Sequence, residues 1–88
     1  MEIGHTAGRF FTKIGEREAE LLYRMVDQKT MSIYHTFVPE EARGKGVADM
    51  LALAAFAYAK EKGMKVRPDC PYIPHFLEKH PELKEHSV

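Results

Sequence analysis

The 88-residue chain has one cysteine and no tryptophan, and its thirteen lysines and arginines are cancelled by thirteen aspartates and glutamates. A single cysteine excludes an intrachain disulfide framework and a multi-cysteine zinc site. With a formal net charge of zero, no global field recruits nucleic acid or an anionic membrane, and neither is expected as a partner. Long apolar runs are missing too. The longest, residues 50–59, is ten residues, half of the roughly 20 that a membrane span needs. Glu2 and His5 interrupt the N-terminus and no apolar stretch follows them, so no signal peptide is read there. A soluble, reducing, cytoplasmic setting is the expectation. The histidines have no H-x-x-x-H pair and no carboxylate cluster at ligand spacing, so no metal is expected. His5, His75, His80 and His86 read as surface residues.

What is present fits one core. At 44% hydrophobic and 30% charged, the chain can fill a single small domain and cover it in water. No repeat or linker divides it. One compact domain is expected over residues 8–83, with 1–7 and 84–88 as flexible termini. Residues 8–14, 18–26 and 31–38 are rich in β-formers, and turn residues separate them, which predicts three antiparallel strands in a meander. Pro39 ends the third. A helix is expected over residues 42–62, because Val47, Met50, Leu51, Ala54, Ala55 and Tyr58 fall on one stripe. Leu53, Phe56 and Ala57 widen that stripe until the middle is apolar nearly all round, which predicts burial on more than one side. Gly63 is its stop signal. Residues 64–67 then form a fourth strand, parallel to 31–38 through a right-handed crossover. A last helix starts at Cys70-Pro71 and ends at His80-Pro81. The order βββαβα gives an α/β fold of the α+β type: a mixed sheet with a central helix against it.

Between strand and helix stands Arg43-Gly44-Lys45-Gly46-Val47-Ala48. Two glycines let backbone approach a ligand closely, and the first N–H groups of a helix point outward there. With the helix dipole, this arrangement suits a phosphate or pyrophosphate. Arg43 and Lys45 can add charge-assisted bonds. Three phosphate motifs compete for it. The P-loop fails, since no glycine stands five residues before Gly46 and no Lys-[ST] follows it. A dinucleotide fingerprint would need glycine or alanine where Asp49 stands, although Asp69 lies 25 residues after Gly44 at a strand end, where a ribose-binding acid can sit. Three antiparallel strands ahead of the loop argue against that fold.

The third reading is a resemblance. Val38-Pro39-Glu40-Glu41-Ala42-Arg43-Gly44-Lys45-Gly46-Val47-Ala48 resembles the acetyl-CoA loop of the GNAT superfamily of N-acetyltransferases, written [QR]-x-x-G-x-[GA]. Gly44 and Gly46 match its fixed positions, and Glu41 departs from its Gln or Arg. His35-Thr36, Arg43-Gly44-Lys45-Gly46 and Cys70-Pro71-Tyr72 are similar to the short single-domain, YjdJ-type branch of that superfamily. The resemblance covers residues 8–81. It implies a minimal GNAT-like domain that takes acetyl-CoA as acetyl donor, uses no metal, and binds CoA through Phe37, Val38, Arg43, Gly44, Lys45, Gly46, Val47, Ala48, Tyr72 and Lys79. The N-terminal helices of a typical GNAT domain are missing, which implies a shallow acceptor site or one completed in a homodimer.

Two side chains are candidates for chemistry. His35 lies on the third strand and, by alternation, shares a face with Ile33 and Phe37. A histidine titrating near pH 6.5 can take a proton from an incoming ammonium; the plainer role is a hydrogen-bonded strand residue. Cys70 precedes Pro71 at a helix start, where the dipole favours thiolate. It can accept the acetyl group or protonate the departing thiolate, and its plainer role is a small core residue. Both sit at the same end of neighbouring parallel strands. In the short branch the matching cysteine is the suspected active residue, which points the same way. The leading expectation is an acetyl-CoA-dependent N-acetyltransferase acting on a primary amine of a peptide, polyamine or small metabolite. The alternatives are a non-catalytic CoA or acyl-CoA module regulating a partner, and a dinucleotide binder using Asp69.

Overall fold

In the computed structural model, which describes residues 2–88, the β-forming runs pair as an antiparallel meander. β1 (Gly4–Thr6), β2 (Arg9–Ile14), β3 (Arg17–Asp27) and β4 (Thr30–Phe37) follow one another in space as in sequence. The β2–β3 hairpin turns through Gly15, whose φ of +61° suits a glycine. β5 (Lys65–Pro68) returns parallel to β4, and α1 (Val47–Glu61) supplies the crossover that parallel neighbours require. The mixed sheet and its helices match the expected α+β class, with one strand added in front.

That strand, Gly4–Thr6, lies ahead of the expected domain start at residue 8. Gly4 opposes Phe11, and Thr12 Oγ1 donates to the Glu2 carbonyl at 2.7 Å. His5, read as a surface residue, stacks on Phe10 at 4.0 Å and meets the Tyr23 hydroxyl at 2.5 Å. Side-chain contacts thus fix a strand too short to announce itself by pattern. At the other end a 3₁₀ turn covers Pro81–His86, and the Val88 N–H donates to the Val66 carbonyl at 2.9 Å.

α1 begins five residues later than the expected range of 42–62. Gly44 and Gly46 have φ of +81° and +79°, a conformation no α-helix contains. Residues Glu40–Ala42 form a separate 3₁₀ turn ahead of them. Gly63, at φ +70°, ends the helix as expected. Val47, Leu51, Ala55, Phe56 and Ala59 of α1 are buried against Leu21, Met31, Ile33 and Val66 of the sheet. α2 (Tyr72–Lys79) packs beside α1 through Phe76 against Phe56, with ring centroids 5.5 Å apart. Burial of such a side chain stabilises the fold by about 1.5–3 kcal/mol. Met50 and Leu53 are exposed, so α1 is not buried on several sides. Both helices lie on one face of the sheet, and α1 has no second layer above it. No helix among the described residues is long and apolar enough to cross a membrane.

The opposite sheet face carries arginines stacked on aromatic rings, Arg9 on Phe11 and Arg24 on Tyr34, while Arg17 at the end of the β2–β3 hairpin reaches Phe37. Arg9 also pairs with Glu18 and Glu20. One irregularity here sets the site. Leu22 opposes His35 while Tyr23 opposes Ile33, so Tyr34 is an extra residue in β4 and the strand bulges.

Candidate active site

The loop of residues 43–46 and the first turn of α1 border a cavity of about 300 Å³. Its lining includes Val38, Arg43, Gly44, Gly46, Val47, Ala48, Tyr72 and Lys79 of the expected CoA set, and adds Ala42 and Asp49. Phe37 and Lys45 lie outside the lining. A Cβ placed on Gly44 or Gly46 would meet nothing within 4 Å. The glycines are therefore not there to relieve crowding. They supply the left-handed backbone, and the space beside them stays open. The first helical bond runs from Met50 N–H to the Gly46 carbonyl at 3.1 Å, so the N–H groups of Val47, Ala48 and Asp49 have no intrahelical acceptor. Arg43 braces the loop, its Nε donating to the Val38 carbonyl at 2.9 Å. Glu41, the departure from the motif, pairs with Arg17 at 3.5 Å.

Asp49 was a mismatch in one motif and acquires a task here. Its carboxylate accepts from the Tyr72 hydroxyl and from Lys79 Nζ at 3.0 Å, with His80 Nε2 at 3.8 Å. It ties α2 to the start of α1 across the cavity. Tyr72 and Lys79 accordingly reach the cavity through Asp49, a link that no local pattern could reveal.

β4 and β5 part beyond the pair Ile33–Pro68. The N–H groups of Asp69 and Cys70 both donate to the Ile33 carbonyl, at 3.1 and 2.8 Å, so those two donors are used. Past them the parallel strands diverge. Cys70 is 6% exposed, and its thiol donates to Thr36 Oγ1 at 3.4 Å. It stands just ahead of α2, with Pro71 as the cap and Tyr72 as first helical residue. The bulge turns His35 to the other face. Alternation had grouped it with Ile33, yet Ile33 is buried under the helices while the His35 side chain is 49% exposed, 4.0 Å from Glu20 Oε2. Cys70 and His35 thus occupy the same end of the sheet on opposite faces. Thr36, taken only as part of a resemblance, is the residue that meets the thiol.

Asp69 faces the uncovered side. It accepts from the fully buried Ser32 hydroxyl and from Arg67 Nε at 2.7 Å. The Ser32 hydrogen bond first, and then Arg67, hold its carboxyl below the usual carboxylate range. A depressed carboxyl contributes stability above its unfolded value of about 3.9 and loses it as pH falls through the folded value. Asp69→Asn is therefore expected to narrow the gap between urea midpoints at pH 7 and pH 3. An unchanged gap would show that Asp69 does not set acid sensitivity.

Comparison with known proteins bears on this geometry. The family model for the GCN5-related N-acetyl-transferase matches residues 9–86. Protein NATD1 of Xenopus tropicalis is 40% identical over 63 residues, covering 72% of this chain and 58% of the relative. Its Danio rerio counterpart is 41% identical over 64 residues, covering 73% and 58%. The chain thus spans a little over half the length of these curated relatives. The NMR solution structure of a GCN5-like protein from Staphylococcus aureus superposes with a TM-score of 0.81 at 31% identity, covering 99% of this chain and 87% of that one. A dinucleotide-binding fold is thereby set aside, and Asp69 is occupied by Ser32 and Arg67. The glycine loop before the long helix, the parting parallel strands and the matched family model together place this chain in the GCN5-related N-acetyltransferase family.

Proposed function

We propose that the chain is an acetyl-CoA-dependent N-acetyltransferase acting on a primary amine. The observation carrying this reading is the pair of left-handed glycines, Gly44 and Gly46, opening onto the cavity at the free N-terminus of α1. Backbone N–H groups of Val47 and Ala48 suit a pyrophosphate, Arg43 supplies cationic charge at the lining with Lys45 just outside it, and Lys79 offsets the Asp49 carboxylate beside it. Val38 and Tyr72 offer the apolar and aromatic walls for a pantetheine, and Phe37 closes the strand end. Bound acetyl-CoA supplies an activated acetyl thioester. The Cys70 thiol, hydrogen-bonded to Thr36, is the group that would give a proton to the departing thiolate. On the uncovered face His35, oriented by Glu20, takes the proton of the incoming ammonium, directly or through water.

The separation of His35 from Cys70 by the sheet favours a second reading, a non-catalytic CoA-binding module. Transfer assays with His35→Ala test between the two. On the enzyme reading, turnover falls about 100- to 10,000-fold, the usual cost of losing a general base, while CoA affinity is unchanged. Wild-type protein that binds acetyl-CoA and transfers to no amine supports the module instead. A parallel loss of affinity and rate would make His35 structural.

A further inference from the structure

One row of the uncovered face sets two arginines on either side of a serine. Arg24 of β3 opposes Ser32 of β4, and Ser32 opposes Arg67 of β5. Directly opposed residues project from the same face. Strands lie about 4.8 Å apart, so the two arginine backbones stand about 10 Å from each other, within converging reach of two long side chains. Ser32 is fully buried between them. Asp69 is the carboxylate hydrogen-bonded into this row, held by Ser32 and by Arg67 Nε at 2.7 Å.

Arg67 is the arginine hydrogen-bonded into that latch, while Arg24 acts on Asp69 through charge alone. Arg24 makes no ion pair among the described residues, and lies 5.2 Å from the centroid of the exposed Tyr34 ring. Two guanidinium groups against one carboxylate leave a surplus positive charge, and each guanidinium carries five N–H donors in a planar fork. Stacking on Tyr34 restrains Arg24 without using those donors. The row also has a place in the proposed chemistry. Asp69 immediately precedes Cys70, so the surplus charge lies beside the point where β4 and β5 part. It lies on the face that no helix covers, the side open to an acceptor. A polyamine would be repelled there, whereas a carboxylate would be gripped by both forks, fixing the amine's approach.

We propose, resting on the acetyltransferase reading, that the Arg24–Ser32–Arg67 row binds a carboxylate of the acceptor, which is therefore an amine carrying an anionic group and not a polyamine. The test is an NMR titration of the CoA-saturated protein at low ionic strength, with glutamate in one arm and spermidine in the other. Glutamate is expected to shift the backbone amides of Arg24, Ser32, Arg67 and Asp69, and spermidine is expected to leave them in place. Arg24→Gln, which spares the Asp69 latch, should weaken the glutamate response about tenfold or more, the scale of losing a charge-assisted pair. Arg67→Lys keeps the charge without the fork and should fall between Arg24→Gln and wild type. Glutamate shifts that persist unchanged in Arg24→Gln, or a spermidine response at the row, would overturn the inference. So would silence at the row in the glutamate arm. Amides of Gly44, Gly46 and Ala48 report CoA binding independently, so failure of the acetyltransferase reading is visible separately. If those stay silent, the row's response to glutamate without CoA decides the inference alone.

Discussion

Gly46→Val is expected to abolish CoA binding while the sheet and both helices remain folded. At φ +79° a non-glycine residue adopts a left-handed conformation that costs about 1–2 kcal/mol, and a β-branched one more. Against a domain stability of about 5–15 kcal/mol, that cost leaves the native state dominant. The added side chain projects into the open space beside the first turn of α1, where a phosphate would have to lie. In the wild type, CoA at 100 times its dissociation constant stabilises the fold by about 2.7 kcal/mol, a thermal shift of roughly 10 °C or more for a domain of this size. The variant should show none. Gly15→Val supplies the control: Gly15 is also left-handed, at φ +61°, and its Cβ would also meet nothing within 4 Å. It lies in the β2–β3 turn and not on the cavity, so it should keep the shift despite its own backbone strain. Equal loss in both variants would mean that strain, not blocked phosphate binding, explains the Gly46 result.

Cys70→Ala is expected to retain CoA binding and lose about 100- to 10,000-fold in turnover, the range for a missing general acid. The thiol is buried and bonded to Thr36, so its removal leaves a small void and an unmet threonine acceptor rather than a collapsed site. Cys70→Ser keeps a proton at the position and should recover part of the rate. Thr36→Val, which removes the hydroxyl and preserves shape, should lower kcat with little change in CoA affinity. Mass spectrometry after acetyl-CoA alone distinguishes the two chemical roles of the thiol. A proton donor leaves Cys70 unmodified, and an acetyl adduct would instead assign the nucleophile role. An alanine variant with wild-type turnover would return Cys70 to the core.

The loop was legible because its signals are local. Gly44 and Gly46, the basic residues beside them and the apolar run that follows lie within a few positions, and glycine is the residue that left-handed backbone demands. The strand–helix–strand order around the loop was legible for the same reason, since a parallel pair cannot form without a crossover between its members. The helix start was placed too early. The expected range reached back to Ala42 although the apolar stripe itself begins at Val47, and the positive φ at both glycines confines the helix to Val47 onward.

Side-chain direction at the site followed a different rule. Alternation is valid only while the ladder is regular, and the extra residue Tyr34 shifts His35 to the uncovered face and Thr36 toward Cys70. Nothing in the tetrapeptide around Tyr34 marks it as a bulge, because the bulge arises from the register between β3 and β4. The tie of Tyr72 and Lys79 to Asp49 spans 23 and 30 residues, and His5 reaches Tyr23 across 18. Sequence by itself determined the four longer strands, the two α-helices and the glycine pair between β4 and α1, and it offered His35 and Cys70 as candidates, since each depends on residues near one another along the chain. Tertiary structure alone decided which of them meet, because facing, register and the row of Arg24, Ser32 and Arg67 are properties of strands brought together from distant parts of the chain.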